Sequence, residues 1–263
     1  MGKRLKLATR AFGAEPGIPD VTALAAWVVG HRGASADLIS YLLDQSLAPQ
    51  IAAEIGMPCS GGKFCRDRIL ESLIGVHDGN AIDELGVCTE VIIEDTAQLV
   101  AQKNGVWCAL PAPHALRITD TYYDDEDEWH DAIAGVYRTI MRAMRDAGIG
   151  GNVLICDTMD EGEISALARQ NVFFFQPDPD RESLGTLMEH QRRIAVGKDQ
   201  LNAVFDLANE YELLQIILVD ADAESIARTL SHLDPDQIMV GGYCTDMCET
   251  YWKSLVDSAT YLK

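Results

Sequence analysis

The sequence has no long hydrophobic run and comparatively few positive charges. No apolar stretch approaches the roughly 20 residues that a helix needs to cross a bilayer, and residues 5–10 are too polar for a signal-peptide core. Lys and Arg number 21 against 41 Asp and Glu, which gives a formal net charge of -20. Such a charge repels nucleic acids and anionic membranes. We therefore expect a soluble, cytoplasmic protein with a small-molecule substrate and no nucleic-acid or membrane partner, and we leave homo-oligomerisation open.

The seven cysteines lack the dense spacing of a secreted disulfide scaffold, and none forms a Cys-x2-Cys pair. Three lie among apolar residues and are expected to pack in the core, namely Cys88, Cys108 and Cys156. The other four are surrounded by Gly and polar residues, namely Cys59, Cys65, Cys244 and Cys248. Four thiolates can bind zinc or an iron–sulfur cluster, so this second group is a candidate metal site. Unpaired thiols at helix starts are the alternative.

Short apolar runs alternate with helical patterns from about residue 73 to the end. The predicted strands are 73–76, 106–110, 153–156, 172–175, 215–219 and 237–240. The predicted helices are 88–102, 128–146, 162–169, 181–211 and 223–233, and an interruption of the fourth near Gly197 is left open. Strand–helix alternation with almost continuously apolar strands indicates a buried parallel sheet. Residues 1–72 are predicted to be mostly helical. We therefore predict a single α/β domain with a mainly parallel sheet and flanking helices, either a (β/α)8-like barrel or an open three-layer sandwich.

A segment near the end combines a strand, a glycine turn and a helix start. Residues 242–248 read Gly-Tyr-Cys-Thr-Asp-Met-Cys and follow the apolar run 237–241. The first turn of a helix offers free N–H groups and a positive dipole end, which lower the pKa of a thiol and can hold an oxyanion. Cys248 would lie in that turn, which makes it a candidate nucleophile. Gly242 and Thr245 beside it are candidate substrate contacts.

The pattern Gly-x-x-Thr-Asp-x-Cys at this junction resembles the nucleophile segment of the isochorismatase-like cysteine hydrolases. The resemblance is local to residues 242–248. It implies a catalytic Cys, Asp and Lys, in which the thiolate attacks a carbonyl or related carbon, the Asp relays the proton and the Lys lowers the thiol pKa. Cys248 matches the nucleophile, Asp157 at the end of a predicted strand would be the Asp, and Lys198 would be the Lys. The function implied is hydrolysis of a small amide, ester or related carbon without a cofactor.

Other polar residues follow predicted strands and support different readings. His77 and Asp78 follow strand 73–76, and His114 follows a proline-rich turn, so each would lie at a sheet edge suited to acid–base or metal chemistry or to substrate binding. The alternative function is a metal-dependent barrel enzyme, such as a thiol-alkyl transferase, in which zinc or an iron–sulfur cluster is bound by the thiols named above. A non-catalytic ligand-binding protein of the same fold is the third hypothesis.

Overall fold

The computed structural model describes residues 4–31 and 36–262. The strands are β1 Arg4–Lys6, β2 Ala8–Ala14, β3 Cys59–Gly61, β4 Leu73–His77, β5 Asn80–Val87, β6 Trp107–Pro111, β7 Thr119–Asp120, β8 Gly151–Ile155, β9 Val172–Phe175, β10 Arg193–Val196, β11 Gln215–Val219, β12 Ile238–Cys244 and β13 Thr260–Leu262. The helices are α1 Val21–Gly30, α2 Leu38–Ala52, α3 Cys65–Ser72, α4 Glu90–Gln102, α5 Glu126–Asp146, α6 Glu161–Leu167, α7 Arg181–His190, α8 Leu201–Leu207, α9 Ala223–Leu230 and α10 Cys248–Ser258. No helix among these combines the length and apolarity required to span a membrane.

Eight parallel strands follow one another in the order of the chain. One four-stranded sheet has the order β3-β6-β8-β9 and another has the order β10-β11-β12-β2. The two sheets meet where Arg10 on β2 pairs in parallel with Met57, just before β3, and the Ala11 amide donates to the Met57 carbonyl at 3.0 Å. Because the last of these strands pairs with the first, the order is cyclic, which is the strand order of a (β/α)8 barrel. The predicted fold class, a mainly parallel sheet with flanking helices, is confirmed.

The junction between β9 and β10 is bridged by a side chain. Gln191, just after α7, accepts a hydrogen bond from the Phe174 amide through Oε1 at 3.0 Å and donates one from Nε2 to the Phe174 carbonyl at 3.0 Å. A carboxamide offers the same donor and acceptor as a peptide group. The glutamine side chain therefore takes the place of a ladder bond between the two sheets.

Aromatic side chains from opposite strands fill the interior of the ring. The Phe12 ring on β2 stacks on Phe175 of β9 with centroids 4.4 Å apart, and on Phe173 at 5.2 Å. Alternate residues of a strand share a face, so Arg10 is directed inward like Phe12, and its guanidinium carbon lies 4.3 Å from the Phe173 ring centroid and 4.5 Å from that of Trp107. The interior is thus packed with side chains, as barrels of this size are.

Aspartates begin most of the longer helices. Their carboxylates accept from backbone N–H groups of the first turn, which otherwise have no partner inside the helix. The caps are Asp20, Asp37, Asp125, Asp160, Asp180 and Asp222. Part of the acidic excess therefore has a local structural role.

Three sequence predictions about the sheet need correction. The run 73–76 forms β4, which pairs antiparallel with β5 in a separate sheet, so it is not a barrel strand. The N-terminal third contains three helices but also β2 and β3, two of the eight barrel strands. The predicted helix 181–211 is interrupted near Gly197, as the sequence analysis allowed, but the interruption is a strand, β10, whose Arg193 to Val196 backbone pairs in parallel with β11.

Candidate functional site

The loops that follow the barrel strands bring polar side chains together at the carboxyl ends of the strands. Enzymes with this architecture carry their catalytic side chains at that end, because each strand delivers the next loop to the same rim. The side chains in question are Glu15 after β2, Lys63 after β3, His114 after β6, Asp157 after β8, and Tyr243 and Cys244 at the end of β12.

A chain of contacts links Lys63, Asp157, His114 and Glu163. Lys63 Nζ lies 2.7 Å from Asp157 Oδ1, and this hydrogen bond, opposed only in part by burial, holds the pKa of Asp157 below its usual value. The Asp157 amide donates to His114 Nε2 at 3.2 Å, and His114 Nδ1 lies 2.8 Å from Glu163 Oε2. Burial opposes the imidazolium, but the Glu163 carboxylate outweighs it and raises the pKa of His114. Because Nε2 accepts a hydrogen bond, this arrangement has the His114 proton on Nδ1, which donates it to Glu163, and the network holds one charged pair, Lys63 and Asp157, next to this His–Glu hydrogen bond.

Glu15 joins the ends of three strands. Its carboxylate accepts a hydrogen bond from the Tyr243 hydroxyl and one from the Lys63 amide at 2.5 Å. Its own amide donates to the Cys244 carbonyl at 2.7 Å. Burial and the adjacent carboxylate raise the pKa of Tyr243, so the phenol stays protonated and donates. Glu15 thereby fixes the thiol-bearing end of β12 against the turn that carries Lys63.

Two thiols lie in contact at the end of β12. Cys244 Sγ is 2.7 Å from Cys248 Sγ, across a turn in which Met247 adopts a left-handed conformation with φ of 46°. The hydrogen bond donated by Cys244 lowers the pKa of Cys248, and the same contact, together with burial, raises the pKa of Cys244. The half-buried Cys248 is therefore the sulfur that ionises more readily, with Cys244 as its donor.

The structure does not join the three residues of the predicted catalytic set. Asp157 pairs with Lys63, and Lys198 Nζ lies 3.8 Å from Asp222 Oδ2. The pKa of Cys248 is shifted by the neighbouring thiol, by burial, by its own backbone N–H and by two carboxylates, and no lysine is among these groups. Sequence reasoning missed Lys63 as the partner of Asp157, although a lysine that ends the Ser-Gly-Gly-Lys turn before α3 is a recognisable anion-facing pattern.

The four thiols predicted as a metal site do not form one cluster. Cys59 lies within β3 and is fully buried, which raises its pKa, and the Cys65 sulfur shares a hydrogen bond with Cys108, raising the pKa of Cys108. Across residues 4–31 and 36–262, the one group of three possible ligand atoms within 4.8 Å of one another is Glu161, Glu189 and His190. The paired sulfurs of β12 and α10 therefore stand apart from the thiols of β3 and α3.

The remaining predicted residues have different surroundings. His77 and Asp78 form an exposed pair 3.2 Å apart in the β4–β5 hairpin, outside the eight barrel strands. Thr245 is exposed in the turn after β12, whereas Gly242 is buried, and a Cβ there would collide with the Tyr251 hydroxyl. Gly242 thus allows α10 to approach the strand, which is a steric role.

The comparisons with known proteins support the fold and overturn one function. No protein-family model matches the sequence, and no curated protein is significantly similar to it. A crystal structure from Listeria monocytogenes, provisionally assigned as a vitamin-B12-independent methionine synthase, matches with a TM-score of 0.68 and 16% identity over 94% of both chains. At this identity the similarity shows the fold alone. A cysteine hydrolase is not supported by this neighbour, so the predicted hydrolase function is wrong, whereas the isochorismatase-like family assignment stays a prediction.

Proposed function

We propose that this protein is a small-molecule enzyme of the thiol-alkyl transferase type, with a thiol-bound metal ion at the carboxyl ends of the barrel strands. The observation that carries the proposal is the contact between Cys244 and Cys248, whose sulfurs lie 2.7 Å apart at the rim where barrels place their active sites. The Listeria neighbour is named for the synthesis of methionine, which is a thioether, and the proposed chemistry is of the same kind.

The paired thiols suit a zinc ion in their chemistry but supply only part of its ligand set. Zinc prefers thiolate, imidazole and carboxylate ligands, and catalytic zinc sites usually have three protein ligands with one position open. Cys244 and Cys248 would be two of them, and the carboxylates that act electrostatically on Cys248 are Asp246 and Glu15. A zinc ion bound there would lower the pKa of a substrate thiol. Binding would require one of these carboxylates to turn towards the sulfurs.

The charged pair at the same rim supports an amino-acid-like substrate. Lys63 and Asp157 leave 50% and 42% of their side-chain surfaces exposed. An ammonium next to a carboxylate is complementary to a zwitterion, whose carboxylate and ammonium groups have the opposite arrangement. Lys63 and Asp157 would therefore orient the substrate, and His114, which accepts from the Asp157 amide and contacts Glu163, would keep Asp157 in place.

Metal analysis tests the proposal directly. The protein is reduced, loaded with zinc, desalted and measured by elemental mass spectrometry, and we expect wild type to retain zinc. Cys244→Ser and Cys248→Ser should each lose it, because one thiol leaves too few ligands. Cys88→Ser is the matched control, since that cysteine follows β5 outside the barrel strands and is exposed, so the prediction that it packs in the core is wrong. Equal retention by Cys248→Ser and wild type, or no retention by wild type, would contradict the proposal.

A further inference from the structure

At the opposite end of the barrel, arginines line two cavities whose walls contain no carboxylate. Two adjoining cavities, of about 730 and 450 Å³, open at the amino ends of β6, β9 and β10 and share the segment 169–172. Seven arginines line them, and neither cavity is lined by Asp or Glu. This absence is notable because acidic residues outnumber basic ones 41 to 21 in the whole chain. We call the two cavities together the arginine mouth.

Arg10 forms the inner end of the arginine mouth. It retains 1% of its surface exposed, and its Nε and Nη2 are buried without a hydrogen-bond partner. The guanidinium lies over the rings of Phe173 and Trp107, which satisfy its faces but not its N–H groups. Burial lowers its pKa to about 10, and the titratable groups that act on it are the Cys59 thiol and Arg193, with no carboxylate. A buried cation with unused hydrogen-bond donors is stabilised when an anion binds to it.

The arginines nearer the solvent are also mostly without counter-charges. Arg192 pairs with Glu212 at 3.1 Å and Arg142 with Asp146 at 3.7 Å, both on the outer rim. In the part of the chain that the structure describes, the others make no ion pair, namely Arg138, Arg145, Arg169 and Arg193. Like charges held together at this density repel one another unless an anion lies between them.

We propose that the arginine mouth binds a small polyanion of the oligophosphate type, one anionic group of which reaches Arg10. Guanidinium groups present a planar fork of donors that matches phosphate oxygens, and several of them favour a ligand with several charges. Asn171 and Gln170 add neutral donors to the same wall, and the larger cavity has the volume of a small-molecule site. The site lies at the other end of the barrel from the paired thiols and does not depend on the function proposed for them.

Calorimetric titration of the full-length protein with inorganic tripolyphosphate tests this site. At constant ionic strength we expect saturable binding with one ligand per chain. Arg193→Gln and Arg169→Gln should each weaken it about tenfold or more, since each removes a charge-assisted contact. The matched control is Arg181→Gln, because Arg181 is an exposed arginine that pairs with Asp206 on the outside of the barrel. Its affinity should equal that of wild type.

Two further measurements distinguish binding at this site from nonspecific electrostatic attraction. Orthophosphate should bind at least about tenfold more weakly than tripolyphosphate, because it engages fewer arginines. Arg10→Met should abolish binding. If that variant does not fold, Arg193→Gln still tests the site, because Arg193 lies on its solvent side. No saturable binding by wild type, equal affinity for both phosphates, or the same loss in Arg181→Gln as in Arg193→Gln would each overturn the proposal.

Discussion

Replacing the buried Arg10 with methionine should stabilise the protein in the absence of an anion. The guanidinium is charged at neutral pH although its surroundings favour the neutral form, as its lowered pKa of about 10 shows. Methionine is unbranched and adaptable, so it can occupy the space between Phe173 and Trp107 without a charge. The substitution therefore removes the cost of burying a cation and keeps most of the packing.

The size of the effect follows from two opposing contributions. The pKa falls from its ordinary 12.5 to about 10, and each pKa unit corresponds to about 1.4 kcal/mol, which gives a burial cost of about 3 kcal/mol at neutral pH. Loss of the contacts between the guanidinium and the two rings costs about 1–2 kcal/mol. We expect Arg10→Met to raise the free energy of unfolding by about 1–2 kcal/mol, the difference of these contributions.

Urea denaturation at pH 7 in a buffer without multivalent anions measures the change. The native pKa of Arg10 lies below its unfolded value, so the burial cost is complete below pH 10 and decreases as the pH rises through that value. The advantage of the variant should therefore shrink between pH 9 and pH 11. Arg181→Met, at an exposed position, should change stability by less than about 0.5 kcal/mol. A variant that is less stable than wild type by 1 kcal/mol or more would refute the reasoning.

Three other substitutions test the packing and the charge network. Arg68→Leu should cost about 3–5 kcal/mol in urea unfolding, because it leaves Asp95 buried without its 2.7 Å partner; an unchanged midpoint would contradict this role. Phe12→Ala should cost about 3–5 kcal/mol through the cavity it leaves inside the barrel, and a loss no larger than that of a surface alanine would argue against the packed interior. His114→Gln should lose more stability at pH 6 than at pH 9. The pKa of His114 is raised in the native state, so protonated His114 stabilises that state below its unfolded pKa, and this stabilisation disappears as the pH rises through the folded pKa. A stability difference that does not change with pH would contradict an ion pair between protonated His114 and Glu163.

Local patterns predicted the fold class but missed strands whose sequences are atypical. β2 reads Ala-Thr-Arg-Ala-Phe-Gly-Ala and contains one β-branched residue, whereas strand patterns are recognised by β-branched and aromatic residues. The reason for the small side chains is tertiary, since a Cβ on Gly13 would lie 2.6 Å from the Gly61 carbonyl oxygen of the neighbouring strand. β10 has only four residues and lies between helical patterns, so its pairing with β11 could not be inferred from its own sequence.

The candidate site was predicted in its parts but not in its connections. Asp157 follows β8, at the rim where the sequence placed it, but its partner Lys63 comes from a turn far away in the chain. Cys244 and Cys248 were predicted as two of four thiols in one metal site, yet of these four they contact only each other, because Cys244 ends β12 and the turn at Met247 brings Cys248 to it. Pairings of this kind depend on how the strands are arranged around the ring, which hydrophobic periodicity does not encode.

The pairing of β2 with β12 has a consequence for how the protein is made. The first barrel strand lies beside the last one, almost the whole length of the chain away, and β1 likewise pairs with β13. During synthesis the emerging β2 therefore waits without its partner until translation is nearly complete, with one edge free to pair with other chains. Closure depends on contacts of very high sequence separation, which form slowly. Nascent chains stalled before residue 238, where β12 begins, should consequently need chaperones, whereas the released chain can pair β2 with β12 and close the barrel.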